Sequence, residues 1–165
     1  MSKSEAAAKP PSSPSSGRSL AKGLIAGLIG GLVGTIAKTL AERLFPPRTQ
    51  GEPEPSERLA ERVAGQSLGP DAKAAAAEGI HWGFGAVAGA AYGALAEYYP
   101  AATSKDGASF GMALEALTHE GALPALGLSA DPEDMTMRER ASEMTSHVVY
   151  GVATEMVRGF VRKRL

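Results

Sequence analysis

The chain has 165 residues, 44% of them hydrophobic, a formal net charge of -1 and no cysteine. This length suits one domain, the near-neutral charge gives no basic face for nucleic acid, and the absence of cysteine excludes disulfides and thiolate metal sites. Aromatic residues make up only 5%, whereas 20 residues are glycine. A soluble core usually needs bulkier side chains, while membrane helices associate through small ones, so the composition favours a membrane protein.

Residues 1–18 are rich in proline and serine, and we predict a disordered tail because they cannot bury enough apolar surface to offset the entropy of ordering. No small-residue cleavage site follows the first apolar run, which indicates an uncleaved membrane segment and not a secretory signal. We expect residues 19–165 to form a single helical membrane domain.

The first predicted helix covers residues 20–45 and is ended by two prolines. Near its end, Lys38 and Glu42 are one helical turn apart and can form an ion pair. Its small residues recur at the four-residue spacing that lets membrane helices approach closely. The glycines in this row are Gly23, Gly27 and Gly31.

A polar connection follows, in which residues 56–63 are predicted to form a short amphipathic helix on the membrane surface or on the bundle. The second long helix is predicted over residues 71–99, with His81 in its apolar part and aromatic side chains at both ends, as suits two bilayer interfaces. It repeats the glycine spacing of the first helix. The glycines in this second row are Gly85, Gly89 and Gly93.

The third predicted helix, residues 108–122, places Glu115 one turn before His119, and the fourth covers residues 136–162. A polar seam runs along the fourth helix, which is otherwise apolar. Its members are Glu143, His147, Glu155 and Arg158. The predicted fold class is therefore all-α: a four-helix integral membrane bundle with one histidine on each of three helices, where ionisable residues are candidates for function.

Three segments occur in an order and spacing that resemble a known family. They are IAKTLAERLFPPR, HWGFGAVAGAAYGALAEYYP, and the block from His119 through PALGL and SEMTSH to EMVRGFVRKR. Together they resemble the YagU-like family of bacterial inner-membrane proteins over residues 23–164, apart from a shorter first loop. The resemblance implies a small helical protein of the cytoplasmic membrane, linked to acid resistance, with no assigned enzymatic activity. The positions that it marks are Lys38, Glu42, Pro46, Pro47, Arg48, His81, Tyr92, Glu97, Pro100, His119, Pro124, Gly127, Glu143, His147, Glu155 and Arg158.

Several roles remain open for the buried histidines and carboxylates. They can hydrogen-bond between helices and fix packing, or they can bind and relay protons, since imidazole titrates between about pH 5 and 8. A transition metal bound by His81, His119 and His147 is a third role. The chain can also be an accessory subunit of a larger membrane complex, and a soluble bundle stays open because no span is a clean run of 18 apolar residues.

The reading favoured by the sequence is a multi-pass protein of the bacterial inner membrane that senses pH or couples to protons and contributes to acid resistance. Basic residues at both ends favour cytoplasmic termini, although the first loop is basic too. We expect no enzymatic activity, because no nucleophile, base and oxyanion site occur together. The expected partners are the lipid bilayer and another membrane protein or a second copy; no cofactor is expected outside the metal alternative.

Overall fold

The computed structural model describes residues 17–49 and 51–165, and the regular secondary structure of these residues is entirely helical, which confirms the all-α prediction. Most of the predicted tail, residues 1–18, lies outside the described residues. The helices are α1 (Leu20–Leu44), α2 (Pro55–Ala64), α3 (Pro70–Tyr98), α4 (Ala108–Leu117), α5 (Leu123–Ala125) and α6 (Met137–Arg162). A 3-10 helix, Pro100–Gly107, precedes α4, and a π-helical turn, Thr118–Ala122, joins α4 to α5.

Local signals set the ends of the long helices. The Ser19 side chain caps α1 by accepting a hydrogen bond from the Lys22 backbone N–H, and α1 ends two residues before Pro46. Thr136 and Glu139 form a reciprocal capping box at the start of α6. Each satisfies a backbone N–H that the first turn of the helix would otherwise leave without a partner.

The predicted helix over residues 108–122 differs in the structure, because α-helical hydrogen bonding stops at Leu117 and a π-helical turn follows. The Thr118 hydroxyl donates to the Leu114 carbonyl at 2.7 Å and so occupies an acceptor of the preceding turn. Gly121, inside the turn, adds a residue of poor helix propensity. The wider turn changes the direction in which His119 leaves the helix.

Helix α1 lies between α3 and α6, and both run antiparallel to it. The two predicted glycine rows face each other: a Cβ built on Gly27 would lie 2.2 Å from the Gly89 carbonyl oxygen, and one on Gly31 would lie 2.3 Å from that of Gly85. Helix α4 packs as closely on α6, since a Cβ on Gly111 would lie 2.1 Å from the His147 carbonyl oxygen. Glycine is required at these crossings because the backbones touch.

The bundle is polar inside and apolar outside. The largest fully buried side chains are Glu143, Thr35, Thr154, Ser142 and Ser146. Large apolar side chains point outward instead: Val87 of α3 is 69% exposed, Leu117 of α4 is 70% exposed and Met156 of α6 is 67% exposed. This is the reverse of a protein folded in water, which buries such residues.

Among the described residues, α1 alone is long and apolar enough to cross a membrane, a property that it shares with core helices of soluble proteins and with signal sequences. By this criterion the structure supports one candidate span and not the four that the sequence predicted. Two compositional causes lower the hydropathy of the other helices. Helix α3 is rich in alanine and glycine, and α6 carries ionisable residues along its length.

Candidate functional site: a buried histidine cluster

The predicted polar seam is divided between the two ends of the bundle. Glu143 and Glu155 are twelve residues apart on α6, which corresponds to about 18 Å along the helix axis. Each glutamate has its own set of partners. The histidine cluster consists of Lys38, Glu42, Arg48, Glu115, His119, Glu143, Ser146 and His147. The arginine cluster consists of Ser19, Tyr92, Glu97, Glu155, Arg158 and Arg162.

Glu143 is the centre of the histidine cluster and is only 1% exposed. Its Oε1 accepts a hydrogen bond from Arg48 Nη1 at 2.7 Å and lies 3.6 Å from His119 Nδ1. Its Oε2 lies 3.8 Å from both Lys38 Nζ and His147 Nδ1. One carboxylate is thus surrounded by two cations and two imidazoles.

The two imidazoles are held differently. Nδ1 of His147 lies 2.8 Å from the backbone carbonyl of Glu143, and because a carbonyl can only accept, Nδ1 carries the proton and Nε2 is left as an acceptor. His119 has no such restraint and meets His147 edge to face, with ring centroids 4.8 Å apart. His119 is therefore the freer of the two to change its protonation and orientation.

The sequence placed His119 beside Glu115 on one helical face, and the structure places it beside Glu143 of α6 instead. The π-helical turn begins at Thr118, so the one-turn geometry that pairs residues four apart no longer applies between Glu115 and His119. Glu115 is nonetheless buried, at 3% exposure, and its Oε2 has no hydrogen-bond partner among the described residues.

Lys38 links α1 to the cluster. Its ammonium contacts Glu42, as the spacing predicts, and donates to Ser146 Oγ of α6 at 3.1 Å. Ser146 in turn donates to the Glu143 carbonyl at 3.0 Å. Sequence reasoning missed Ser146. Its position three residues after Glu143 puts it on the same helix face. This spacing was the available signal, although a serine is not ionisable.

The charges of the histidine cluster do not balance. Two cations, Lys38 and Arg48, face three carboxylates, Glu42, Glu115 and Glu143, and each of these side chains is at most 18% exposed. Buried charge without compensation is costly. One oxygen of Glu115 and one of Glu143 also lack a hydrogen bond. With these groups in their ordinary ionised forms, the cluster has one more carboxylate than cation, and two imidazoles adjoin Glu143.

The arginine cluster is balanced by contrast. Glu155 accepts hydrogen bonds from the Tyr92 hydroxyl at 2.8 Å and from Arg158 Nε at 2.6 Å. Glu97 accepts from Arg162 Nη2 at 3.1 Å and from the Ser19 backbone N–H at 3.0 Å. Two arginines match two glutamates, and every carboxylate oxygen has a donor. This arrangement joins α1, α3 and α6 and has no place for a further proton.

A cavity of about 150 Å³ adjoins the histidine cluster. Helix α2 contributes Ser56 and Leu59 to its wall, so α2 lies across one side of it. The third histidine, His81, also lines this cavity, where its Nε2 lies 3.4 Å from Thr39 Oγ1. The volume accommodates several water molecules next to both imidazoles of the cluster.

Three side chains of the cluster are of types that can bind a metal ion and lie close together. Ligand atoms of His119, Glu143 and His147 lie within 4.8 Å of one another, whereas His81, the third member of the predicted metal trio, is outside this group. Lys38 and Arg48 contact the same carboxylate, so a divalent cation would meet two positive charges. We therefore assign none of these residues as metal ligands.

No curated protein and no solved structure matches the chain. A family model described as "Protein of unknown function (DUF1440)" matches residues 32–156. The match contains the whole histidine cluster, from Lys38 to His147, and ends within the arginine cluster, between Glu155 and Arg158. Because it covers most of the sequence, the chain belongs to the DUF1440 family.

Proposed function

We propose that the chain is a multi-pass protein of the bacterial cytoplasmic membrane whose histidine cluster binds and releases protons, so that the protein responds to acid. The observation that carries this proposal is the charge deficit around Glu143: three carboxylates, each at most 16% exposed, face two cations, with two imidazoles near Glu143. The resemblance to the YagU-like family gives this chemistry a setting, which is resistance to acid.

The placement of polar and apolar side chains supports a membrane location for the long helices α1, α3 and α6 and for the shorter α4 packed on α6. Large apolar side chains lie on their outward faces, their contacts rest on glycine, and the ionisable residues of the two clusters point inward. Lipid favours this arrangement, since charged groups near hydrocarbon must pair within the bundle. The bilayer is then the first partner, and the apolar exterior leaves room for a second membrane protein or a second copy.

Both ends of the described chain lie at the arginine-cluster end of the bundle, where Arg162 contacts the Gly17 carbonyl and Lys22 contacts the Leu165 carbonyl. Basic residues gather there: Arg18, Lys22, Arg162, Lys163 and Arg164. We place this end in the cytoplasm because both termini are basic, although the connection at the other end is basic too, with Arg48, Arg58, Arg62 and Lys73. The histidine cluster then lies toward the outer face of the membrane, which is the side that meets external acid.

Proton uptake by purified protein tests the proposal. A detergent solution of the parent is acidified from neutral pH with a pH indicator present, beside Glu143→Gln, which keeps the shape of residue 143 and removes its charge. We expect the parent to take up more protons than the variant. Equal uptake by the parent and Glu143→Gln would contradict the proposal and leave the cluster with a packing role. If one membrane protein then co-purified in equimolar amount with the parent and the variant, an accessory subunit of a larger complex would be the better interpretation.

A further inference from the structure

Two cavities meet at one side chain. The larger, about 150 Å³, extends from Arg48 and Ser56 down to Thr35 and Tyr150 in the middle of the bundle. The smaller, about 10 Å³, has room for about one water molecule. His119 is the one side chain among the described residues that lines both. Its ring therefore forms the wall between them.

The small cavity contains the groups that lack partners. Glu115 and Glu143 line it, and an oxygen of each carboxylate has no hydrogen bond among the described residues. Neither glutamate lines the large cavity. Four side chains of the large cavity contact Glu143, namely Lys38, Arg48, His119 and His147, and of these His119 alone also lines the small cavity. His119 is therefore the group placed to pass a proton from the large cavity to the two carboxylates in the small one.

An exposed ion pair closes the other side of the small cavity. Arg140 Nη2 lies 2.9 Å from Glu120 Oε1, and both side chains line the small cavity while remaining partly in solvent. Exposed ion pairs contribute little to stability. This pair can therefore be removed to open the small cavity to water without unfolding the bundle.

The backbone at His119 suits a moving side chain. His119 is the second residue of the π-helical turn Thr118–Ala122, and such turns occur often at functional sites because they loosen the regular hydrogen-bond pattern. Its Nδ1 lies 3.6 Å from Glu143 Oε1, longer than a hydrogen bond and short enough for a small ring movement to close.

Many charges face His119, and all bear on its titration. They are the titratable and charged side chains that line the two cavities beside it. These side chains are Lys38 and Glu42 of α1, Arg48 and Glu54 of the following loop, His81 of α3, Glu115 of α4, Glu120 of the π-helical turn, and Arg140, Glu143 and His147 of α6. Charges of both signs surround the ring. Burial, Lys38 and Arg48 oppose a charge on the ring, whereas Glu143 lies 3.6 Å from Nδ1, so the ring is neutral at rest and imidazolium is a transient form.

We propose that His119 carries protons from the large cavity to the paired carboxylates Glu115 and Glu143 in the small one. This inference rests on the proposed function, because it names the route by which the cluster gains its proton. One ring nitrogen takes a proton from a hydronium ion that has entered the large cavity, which leaves a water molecule, and the ring becomes imidazolium. A ring nitrogen then gives a proton to a carboxylate, which becomes neutral, and the imidazole returns to its neutral form.

Stopped-flow acidification of the detergent-solubilised protein, with a pH indicator, tests this route by rate and not by amount. We expect His119→Phe, which keeps a ring between the two cavities and has no nitrogen to carry a proton, to slow uptake by the carboxylates roughly 100-fold, the lower end of what a positioned proton carrier contributes, and to leave the final carboxylate uptake in place. The matched control is His81→Phe, which removes an imidazole that lines only the large cavity. An unchanged rate in His119→Phe, or an equal loss in His81→Phe, would overturn the inference.

The Arg140→Ala variant gives a second measurement that does not depend on a buried substitution. Opening the small cavity should give water direct access to Glu115 and Glu143, so uptake should be faster than in the parent. The double variant with His119→Phe should likewise take up protons faster than His119→Phe alone. If Arg140→Ala had the parental rate, the route through a closed small cavity would be wrong. Failure of the proposed function would be distinguishable, because the parent and Glu143→Gln would then take up the same number of protons, whatever the rate of uptake.

Discussion

Arg48, in the loop after α1, donates a 2.7 Å hydrogen bond to Glu143, which lies 95 residues later on the buried face of α6. The contact closes the histidine cluster from the side of the connection to α2. The guanidinium is largely buried, so losing it would leave the buried charge of Glu143 with Lys38 as its remaining cation. The same pair therefore stabilises the fold and sets the charge balance of the histidine cluster.

Replacing Arg48 should destabilise the bundle. Arg48→Ala leaves the Glu143 carboxylate buried with one cation fewer, and breaking a buried pair from one side costs about 3–5 kcal/mol. Thermal unfolding in detergent would show a lower midpoint for this variant. The double variant with Glu143→Gln should recover part of the loss, because the unpaired charge is then absent. A loss in the double variant equal to the sum of the two single losses would contradict a direct interaction between the two residues.

The glycine rows predict opposite effects for two alanine substitutions on the same pair of helices. Gly27→Ala places a Cβ 2.2 Å from the Gly89 carbonyl oxygen, and forcing α1 from α3 should cost about 1–3 kcal/mol. Gly83→Ala is the matched control, because a Cβ there meets nothing within 4 Å. It should be neutral or stabilise α3 by up to about 1 kcal/mol through helix propensity. Equal effects of the two changes on the unfolding midpoint would refute close α1–α3 packing.

The sequence predicted the helices because their signals are local. The two prolines after α1 mark an end that needs no tertiary information, and the caps that the structure adds, Ser19 and the Thr136–Glu139 box, are equally local. It also predicted that Gly23, Gly27 and Gly31 lie at a helix contact, because a row of glycines in a helix interior is unfavourable without a packing reason.

The site was less predictable because its geometry depends on how helices are placed. Four-residue spacing on one helix suggested that Glu115 pairs with His119, and the π-helical turn, which has no clear sequence signature, turned His119 toward Glu143. The same spacing joined Glu143 and Glu155 into one seam, although antiparallel packing of α1 gives them different partners at opposite ends. Arg48 was indicated by the family resemblance and not by its own surroundings in the sequence.

Acid should loosen α2 where it lies beside the large cavity. Glu61 of α2 accepts a 2.9 Å contact from Lys73 Nζ of α3, and this hydrogen-bonded ammonium holds the pKa of Glu61 below its ordinary value of 4.5. A lowered folded-state pKa means that the contact contributes its full stability above the unfolded value and loses it as the pH falls through the folded value. The protection factors of the α2 amides against hydrogen exchange, which correct for the intrinsic dependence of exchange on pH, should therefore fall below about pH 4.5.

The Glu61→Gln variant separates this contact from other effects of acid on α2. Glutamine cannot carry the charge that Lys73 meets, so α2 in this variant should exchange faster than in the parent at neutral pH and should change less on acidification. The amides of α2 in a variant of the nearby Glu57, which has no contact with Lys73 shorter than 4 Å, should retain the parental pH response. The same pH response in parent and Glu61→Gln would show that another group controls α2.

The arginine cluster should support the fold without taking part in proton binding. Tyr92→Phe removes the hydroxyl that donates to Glu155 at 2.8 Å and keeps the ring stacked on Phe110. A hydrogen bond to a charged group contributes about 1.5–3 kcal/mol, so the unfolding midpoint should fall. The number of protons taken up on acidification should equal that of the parent. Glu155 keeps both hydrogen bonds from Arg158, so its charge stays compensated without a proton. A loss of proton uptake in Tyr92→Phe, at a temperature where it is folded, would mean that the two ends of the bundle act together, and the separation of structural and proton-binding roles would have to be given up.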